Sequence, residues 1–287
     1  MTPTIGKVLV GFDGSADAER ALAWGIEEAS GRHAPLRVVI ARGDRLSSYP
    51  RPDWVAGVTA ESVGQAQEIL KVAGLPTELV EVSDGSPSEV LVRASDPSTL
   101  VVLGSHGYGR ISGPFLGSVS QHVARYAAGP VVVVRPAINP GSTRIVVGVD
   151  GSGGSEDALE FAFERASRSD VTLFVLYGWR SSASLTMGRG GTVPFGATVS
   201  VDVAEEVAAA EPLLAETVAG LSEKYPDVEV YREAIPVPAA RALADASQSA
   251  AMVVVGSRGR GAFAGLLLGS VSQSVLHHAE CPVAIVR

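Results

Sequence analysis

The sequence of 287 residues has a single cysteine, Cys281, so no disulfide can form within the chain and a reducing compartment is expected. Basic residues are also few: Lys and Arg number 23 against 31 Asp and Glu, a formal net charge of −8. This balance argues against a nucleic-acid-binding protein, which needs a basic face. It allows a small anionic ligand, because backbone amides bind anions without net positive charge.

Long apolar runs are missing as well, since none approaches the roughly 18 residues that a membrane-spanning helix needs. The N-terminal MTPTIGKVLVGFDGS lacks the pattern of a signal peptide. We therefore expect a cytoplasmic protein without a membrane partner.

No GxxxxGK[ST] motif occurs, which argues against a Walker-type NTPase, and five scattered histidines indicate no acid–base site. Cys281, just before a strand, is expected to be buried as a small apolar residue.

Two motifs of the sequence occur twice. VLVGFDGS (residues 8–15) returns as IVVGVDGS (145–152), and GSHGYGRISGPFLGSVS (104–120) returns as GSRGRGAFAGLLLGSVS (256–272), identical at ten of 17 positions. We call the second motif the glycine ladder. Such repetition predicts two similar domains, residues 1–136 and 143–287, with a linker at 137–142, in the stretch PAINPGS (136–142) that holds two prolines and a glycine.

Each half alternates Val-rich runs, typical of strands buried on both faces, with helical segments. Ser15 is a plausible cap for a helix to about His33, a second helix is expected near 59–73, and a third strand at 77–82. This alternation predicts an α/β fold of two tandem doubly wound domains, each with a five-stranded parallel sheet flanked by helices. From the aspartate to the start of the glycine ladder the distance is 91 residues in the first copy (13 to 104) and 106 in the second (150 to 256). The second copy therefore has 15 extra residues, which we expect within 179–200.

Both repeated motifs fall where such a fold binds ligands, at the carboxyl ends of strands 1 and 4. Early ladder glycines let the backbone approach a ligand, and GSVS begins a helix whose free amides favour an anion. Ser118 and Ser120 add hydroxyl donors, and Asp13 or Asp150 is available to a sugar or base. Alone, Asp-Gly is usually a turn and Gly-Ser a helix cap. Their joint repetition favours a phosphate site.

The spacing Gly-x2-Gly-x9-Gly-Ser after a strand, with Asp ending strand 1, resembles the ATP-binding universal stress proteins. The likeness covers nearly the whole chain twice, as in the tandem members from actinobacteria. The resemblance implies the strand order 3-2-1-4-5 and ATP, with Mg²⁺, bound once per domain. It also implies that the two domains pair through their last strands, which would cover an apolar edge. A homodimer stays open.

Carried over by motif, the resemblance implies two sets of nucleotide contacts. The first set is Gly11, Asp13, Ala41, Leu103, Gly104, Gly107, Gly117, Ser118, Val119 and Ser120. The second set is Gly148, Asp150, Leu176, Val255, Gly256, Gly259, Gly269, Ser270, Val271 and Ser272. Ala41 and Leu176 rest on strand alignment alone. The copies differ within the ladder: His106 and Tyr108 become Arg258 and Arg260, and Arg110 has no matching arginine at Ala262. These differences predict unequal affinities.

The function that these residues indicate is adenine-nucleotide binding in stress response or regulation, without an assigned catalytic or metal-ligating residue. Two alternatives stay open: a nucleotide-independent protein-interaction module, and a weak ATPase. The loop chemistry also leaves ADP and AMP open beside ATP. SGGSED (152–157) superficially resembles the SGGxDS loop of ATP pyrophosphatases, but Glu156 and Asp157 replace its Asp-Ser, and the first copy lacks the glycines.

Overall fold

The computed structural model describes residues 4–41, 53–76, 79–107, 116–179, 203–260 and 267–287. The first half contains β1 (Lys7–Gly11), α1 (Ala16–Arg32), β2 (Leu36–Ala41), α2 (Asp53–Val72), β3 (Val80–Ser83), α3 (Pro87–Ala94), β4 (Thr99–Gly104), α4 (Ser118–Tyr126) and β5 (Val131–Val134). The second contains β6 (Arg144–Gly148), α5 (Gly153–Ser169), β7 (Thr172–Gly178), α6 (Val203–Lys224), β8 (Val230–Ile235), α7 (Ala239–Ser247), β9 (Met252–Gly256), α8 (Ser270–His278) and β10 (Val283–Val286).

The strands form one sheet of ten in the order β3-β2-β1-β4-β5-β10-β9-β6-β7-β8. Within each half the neighbours are parallel and follow the order 3-2-1-4-5, which confirms the predicted fold class. At the centre, β5 and β10 run antiparallel, with Val133 opposite Val283 and Val131 opposite Ile285. The last strand of each half therefore has a neighbour on both sides, and neither exposes its backbone donors and acceptors at an edge.

Caps at both ends explain the length of the helix that follows the first strand of each half. The Ser15 hydroxyl accepts a hydrogen bond from Ala18 N at 3.2 Å, and α1 ends at His33, which adopts a left-handed φ of 52°. In α5 the same positions hold Ser152 and Asp170, with φ 51°. The predicted limits of α1 are confirmed, because polar caps at both ends mark them in the sequence.

Two predicted limits were wrong. Helix α2 begins at Asp53, six residues before the expected start. Strand β3 spans Val80–Ser83 and leaves out Leu79 of the expected segment 77–82, whereas residues 77–78 lie outside the described residues. The insertion expected at 179–200 lies outside the described residues except for Trp179.

The sheet has a hydrophobic core on each face, and both cores extend across the two halves. One face packs α1 and α2 of the first half with α5 and α6 of the second, centred on residues such as Leu22, Phe161 and Phe163. The other face packs α3, α4, α7 and α8, with Val123 and Leu276 fully buried. Every residue of β4, β5 and β10 is buried, as expected for central strands covered on both faces.

Arginines at the ends of β5 and β10 tie each half to a helix of the other. Arg135 donates to the carbonyl oxygen of Leu276 at 2.6 Å and to that of Ala279, at the end of α8. Arg287 donates to the carbonyl oxygen of Ala124 in α4. A guanidinium at a helix C-terminus satisfies carbonyls that lack partners within the helix and complements the helix dipole.

Cys281 is fully buried before β10, as predicted, and burial raises the pKa of its thiol to about 12, against the attraction of nearby Arg135. Because the thiolate is the reactive form, we expect iodoacetamide at pH 8 to leave the native protein unlabelled. In urea the same reagent should label the chain fully. Intact-mass measurement distinguishes the two states. Fast labelling of the native protein would contradict the buried environment.

Candidate functional site

A cavity of about 320 Å³, which we call the first cavity, lies at the carboxyl ends of β1 and β4, where the strand order reverses. Asp13 follows β1, Gly104 ends β4, and the first turn of α4 forms the opposite wall. All ten residues predicted for the first site line this cavity, Ala41 included. The structure thus brings these ten residues together around one cavity, and their contact with a ligand stays a prediction.

The second cavity, about 290 Å³, occupies the same place relative to β6 and β9. Nine of the ten predicted residues line it, and Leu176 does not line it among the described residues. The sheet register shows that Leu176 is not the counterpart of Ala41, although Gly178, which is, does not line the described part of the second cavity either. Gly11 pairs with Val39, and its repeat Gly148 pairs with Leu176, so Leu176 corresponds to Val39 and Gly178 corresponds to Ala41. The strand alignment behind Leu176 was thus shifted by two residues.

Helices α4 and α8 begin at the cavities without a side-chain cap. Their N-cap residues are Gly117 and Gly269, and neither helix start receives a hydrogen bond from a side chain at that position. By contrast, Ser15 and Ser152 cap α1 and α5. The first backbone amides of α4 and α8 lack partners within the helix, so each cavity has a wall suited to an anion.

The last serine of each glycine ladder, Ser120 or Ser272, donates its hydroxyl hydrogen bond within the protein. Ser120 Oγ donates to the carbonyl oxygen of Gly104 at 2.7 Å, and Ser272 Oγ donates to that of Gly256 at 2.6 Å. These bonds fasten the helix start to the preceding strand. The prediction that Ser120 donates to a ligand is therefore not supported, whereas Ser118 and Ser270 are exposed at the cavities.

The aspartates that follow β1 and β6 are held by the turn after them. Asp13 Oδ1 accepts a hydrogen bond from Ser15 N at 3.0 Å, and Asp150 Oδ1 accepts one from Ser152 N at 3.0 Å. Asp150 Oδ2 also accepts one from Arg260 N at 2.9 Å. Burial raises the pKa of Asp150, but the bonds from Ser152 and Arg260 outweigh burial and hold that pKa below its ordinary value. The carboxylate is therefore ionised at neutral pH.

Asp17 organises the first ladder. Its Oδ2 accepts hydrogen bonds from Ser105 Oγ at 2.6 Å and His106 N at 2.9 Å, and lies 3.0 Å from His106 Nδ1. Burial raises the pKa of Asp17, but the hydrogen bonds from Ser105, His106 and Arg20 outweigh burial and hold that pKa below its ordinary value. The carboxylate therefore stays charged. The imidazole of His106, which lines the cavity, is fixed by this bond through Nδ1.

The second ladder lacks this network, because Gly154 stands where the first copy has Asp17. A Cβ on Gly154 would lie 2.6 Å from the carbonyl oxygen of Arg258, so the backbone there occupies the space of a side chain. Arg258 and Arg260 line the second cavity and are exposed. The two cavities therefore share a backbone plan and differ in their charged groups.

A profile described as the universal stress protein family matches residues 4–135 and 141–287. The chain belongs to the universal stress protein family. A universal stress protein of Mycolicibacterium smegmatis is 35% identical over 295 residues, which cover 98% of this chain and 96% of the relative. One from Mycobacterium tuberculosis is 37% identical over 298 residues, with the same coverage of 98% and 96%.

The fold has a solved counterpart in a universal stress protein from Archaeoglobus fulgidus, with a TM-score of 0.68 at 20% sequence identity. The alignment covers 99% of this chain and 97% of the other, so the likeness extends over both halves. Resemblance and repeat thus identified the family correctly from the sequence.

Sequence reasoning missed several lining residues of this universal stress protein. In the first cavity they are Phe12, Ala18, Val39, Pro87, Leu91 and His106. In the second they are Val149, Ser155, Ala239, Leu243, Arg258 and Arg260. Most are apolar and come from α3, α7 and the strands, where nothing in the sequence separates a lining residue from a core residue. The arginines were visible as a difference between the copies.

No helix among the described residues is long and apolar enough to cross a membrane. Over the same residues, no three His, Cys, Asp or Glu side chains group as they would to hold a metal ion.

Proposed function

We propose that this universal stress protein binds ATP together with Mg²⁺, one nucleotide per domain, and acts in stress response or regulation through nucleotide occupancy. The observation that supports this most is the pair of cavities at the two points where the strand order reverses. Each is walled by glycine backbone, by a helix start without a side-chain cap, and by an aspartate. Such sites suit a phosphate chain on one side and a nucleoside on the other.

The residues fit the proposed ligand in three respects. The starts of α4 and α8 supply backbone donors for phosphate oxygens. Asp13 and Asp150 supply acceptors for ribose hydroxyls, and apolar Leu91 or Leu243 lines the remaining wall. The volumes of about 320 and 290 Å³ are at the small end of ordinary ligand cavities.

The first test is the protein purified without added nucleotide. Denaturation followed by mass spectrometry identifies and quantifies any released small molecule, and isothermal titration with ATP and magnesium measures the remaining sites. An adenine nucleotide near one per domain supports the proposal. Neither released nucleotide nor binding on titration would refute it and favour the protein-interaction alternative. Phosphate released from ATP by the same sample would indicate the weak ATPase.

Single substitutions assign the two sites. Asp13→Ala and Asp150→Ala each remove one carboxylate from one cavity, and each is expected to weaken ATP binding at that cavity by at least about tenfold while the other is unchanged. Titration calorimetry on both variants and on the double variant measures this. The unaltered cavity is the internal control, and thermal unfolding checks the fold. Loss of both sites in a single variant would contradict independent sites.

A further inference from the structure

The two cavities differ most in charged groups at matching positions. His106 lines the first, and the aligned position of the second is Arg258, followed two residues later by Arg260. Both arginines are exposed and line the second cavity, and the guanidinium of Arg260 lies next to Gly151, directly after Asp150. Tyr108, the counterpart of Arg260, and Arg110, which has no matching arginine in the second copy, lie outside the described residues, so the comparison concerns the described groups.

The first cavity also has a carboxylate that the second lacks. Asp17 holds His106 and Ser105 by hydrogen bonds of 2.6–3.0 Å, so the side chain next to the cavity is already paired with a negative charge. At the aligned position of the second copy, Gly154 packs against the backbone of Arg258. An acidic side chain does not fit there, so the second copy offers no counterpart of Asp17 to pair with Arg258.

The arginines that end β5 and β10 show a similar contrast. Burial lowers the pKa of Arg135, and the attraction of Cys281 and then of Asp17 opposes that effect. Burial and, to a smaller extent, repulsion from Arg258 together lower the pKa of Arg287 to about 10. Arg135 and Arg287 hold equivalent places at the ends of β5 and β10, so among the described groups those near Arg287 are the more positive.

From these differences we propose that the second cavity selects ATP over AMP, whereas the first accepts the two nucleotides about equally. This inference rests on the proposed nucleotide binding. A triphosphate carries roughly two more negative charges than a monophosphate at neutral pH, and arginines are well suited to bind the added phosphates. Cavity volumes of about 320 and 290 Å³ are too similar for size to make this selection.

The experiment isolates each cavity by removing the other. The Asp150→Ala protein reports the first cavity and the Asp13→Ala protein reports the second, each titrated calorimetrically with ATP and with AMP without magnesium. We expect the second cavity to bind ATP about tenfold or more tightly than AMP, and the first to show a ratio near one. Added salt should reduce the preference, because exposed charges are screened.

Removal of the arginines tests their part directly. In the Asp13→Ala protein, Arg258→Gln with Arg260→Gln should abolish the ATP preference and leave AMP affinity within about threefold. Arg232→Gln is the matched control, because Arg232 is exposed on edge strand β8 and does not line the cavity. It should keep the preference. Since all three arginines are exposed, thermal unfolding should change little.

Two failures are distinguishable. Equal ATP-to-AMP ratios in both cavities, or full preference in the double arginine variant, would overturn this inference and leave nucleotide binding intact. Absence of any nucleotide binding in the unsubstituted protein would refute the proposed function itself, and this inference with it.

Discussion

Replacing Glu28 by Gln is expected to lower the free energy of unfolding by about 3–5 kcal/mol. Glu28 is fully buried in α1, and its carboxylate lies 2.6 Å from Arg32 Nε and 2.7 Å from Arg168 Nη2. It also pairs with Arg165. The amide of Gln would leave guanidinium groups buried without the opposing charge, which is the costly way to break a buried ion pair.

This cluster joins the two halves of the chain. Glu28 and Arg32 belong to α1, whereas Arg165 and Arg168 belong to α5, and Arg32 reaches Glu164 of α5 at 2.5 Å. Arg165 also stacks over the ring of Trp24 at 5.1 Å. The loss on substitution is therefore expected to affect the contact between the halves as well as α1 itself.

Urea unfolding followed by circular dichroism measures the effect. Glu160→Gln is the matched control. Glu160 lies on α5, the helix that carries Arg165 and Arg168, and pairs with Lys224 at 2.7 Å, but the side chain of Lys224 is 54% exposed. An exposed pair of this kind contributes under about 1 kcal/mol. Equal losses in the two variants would show that the buried cluster adds nothing beyond a surface pair.

The acid dependence of stability follows from the same carboxylate. Burial raises the pKa of Glu28, but the charges of Arg165, Arg32 and Arg168 outweigh burial and place that pKa below its ordinary value. The unfolded chain then binds more protons in mild acid, so this stabilisation is present above the ordinary pKa and is lost as pH falls through the lowered one. Glu28→Gln should flatten the fall of stability with acid.

Replacing Gly104 by Ala is expected to destabilise the first half by at least about 1–3 kcal/mol and to weaken nucleotide binding there. A Cβ on Gly104 would lie 2.7 Å from the carbonyl carbon of Asp17 and 2.8 Å from its oxygen. Because these are backbone atoms of α1, no side-chain rotation relieves the contact. The start of α1 would have to move away from β4, and Asp17 and His106 would move with it.

The matched control is Gly64→Ala. Gly64 lies within α2, and a Cβ there would meet nothing within 4 Å, so the change should stabilise by about 0.5–1 kcal/mol through helix propensity. Thermal unfolding and ATP titration of both variants separate packing from a general effect of alanine. A Gly104→Ala protein with unchanged stability and unchanged binding would contradict the close packing of β4 against α1.

Local signals explain what the sequence predicted well. Ser15 and Ser152 are visible as helix caps, and runs such as VVVV in β5 can only be buried strands in a fold of this class. The repeat placed Asp13 and the glycine ladder together at the reversal point of the sheet. These features depend on residues that are neighbours in the chain, or on comparing the two copies of the repeat.

Features that depend on distant partners escaped prediction. Glu28 looks like one more charge on a helix, and its partner Arg165 is 137 residues away in the other half. Asp17 and His106 meet only because β4 lies beside α1. In β7, Leu173 and Leu176 are similar apolar residues of a seven-residue strand, so no single residue marks the register that separates Leu176 from Gly178.

The antiparallel junction of β5 and β10 has a consequence for symmetry. Two identical subunits joined through such a strand pair would be related by a twofold axis, and every substitution would appear in both at once. Because one polypeptide supplies both partners here, Gly154 and Arg258 alter one half and leave Asp17 and His106 in the other. Covalent linkage thus allows each half to change on its own while the paired strands keep the arrangement of a dimer.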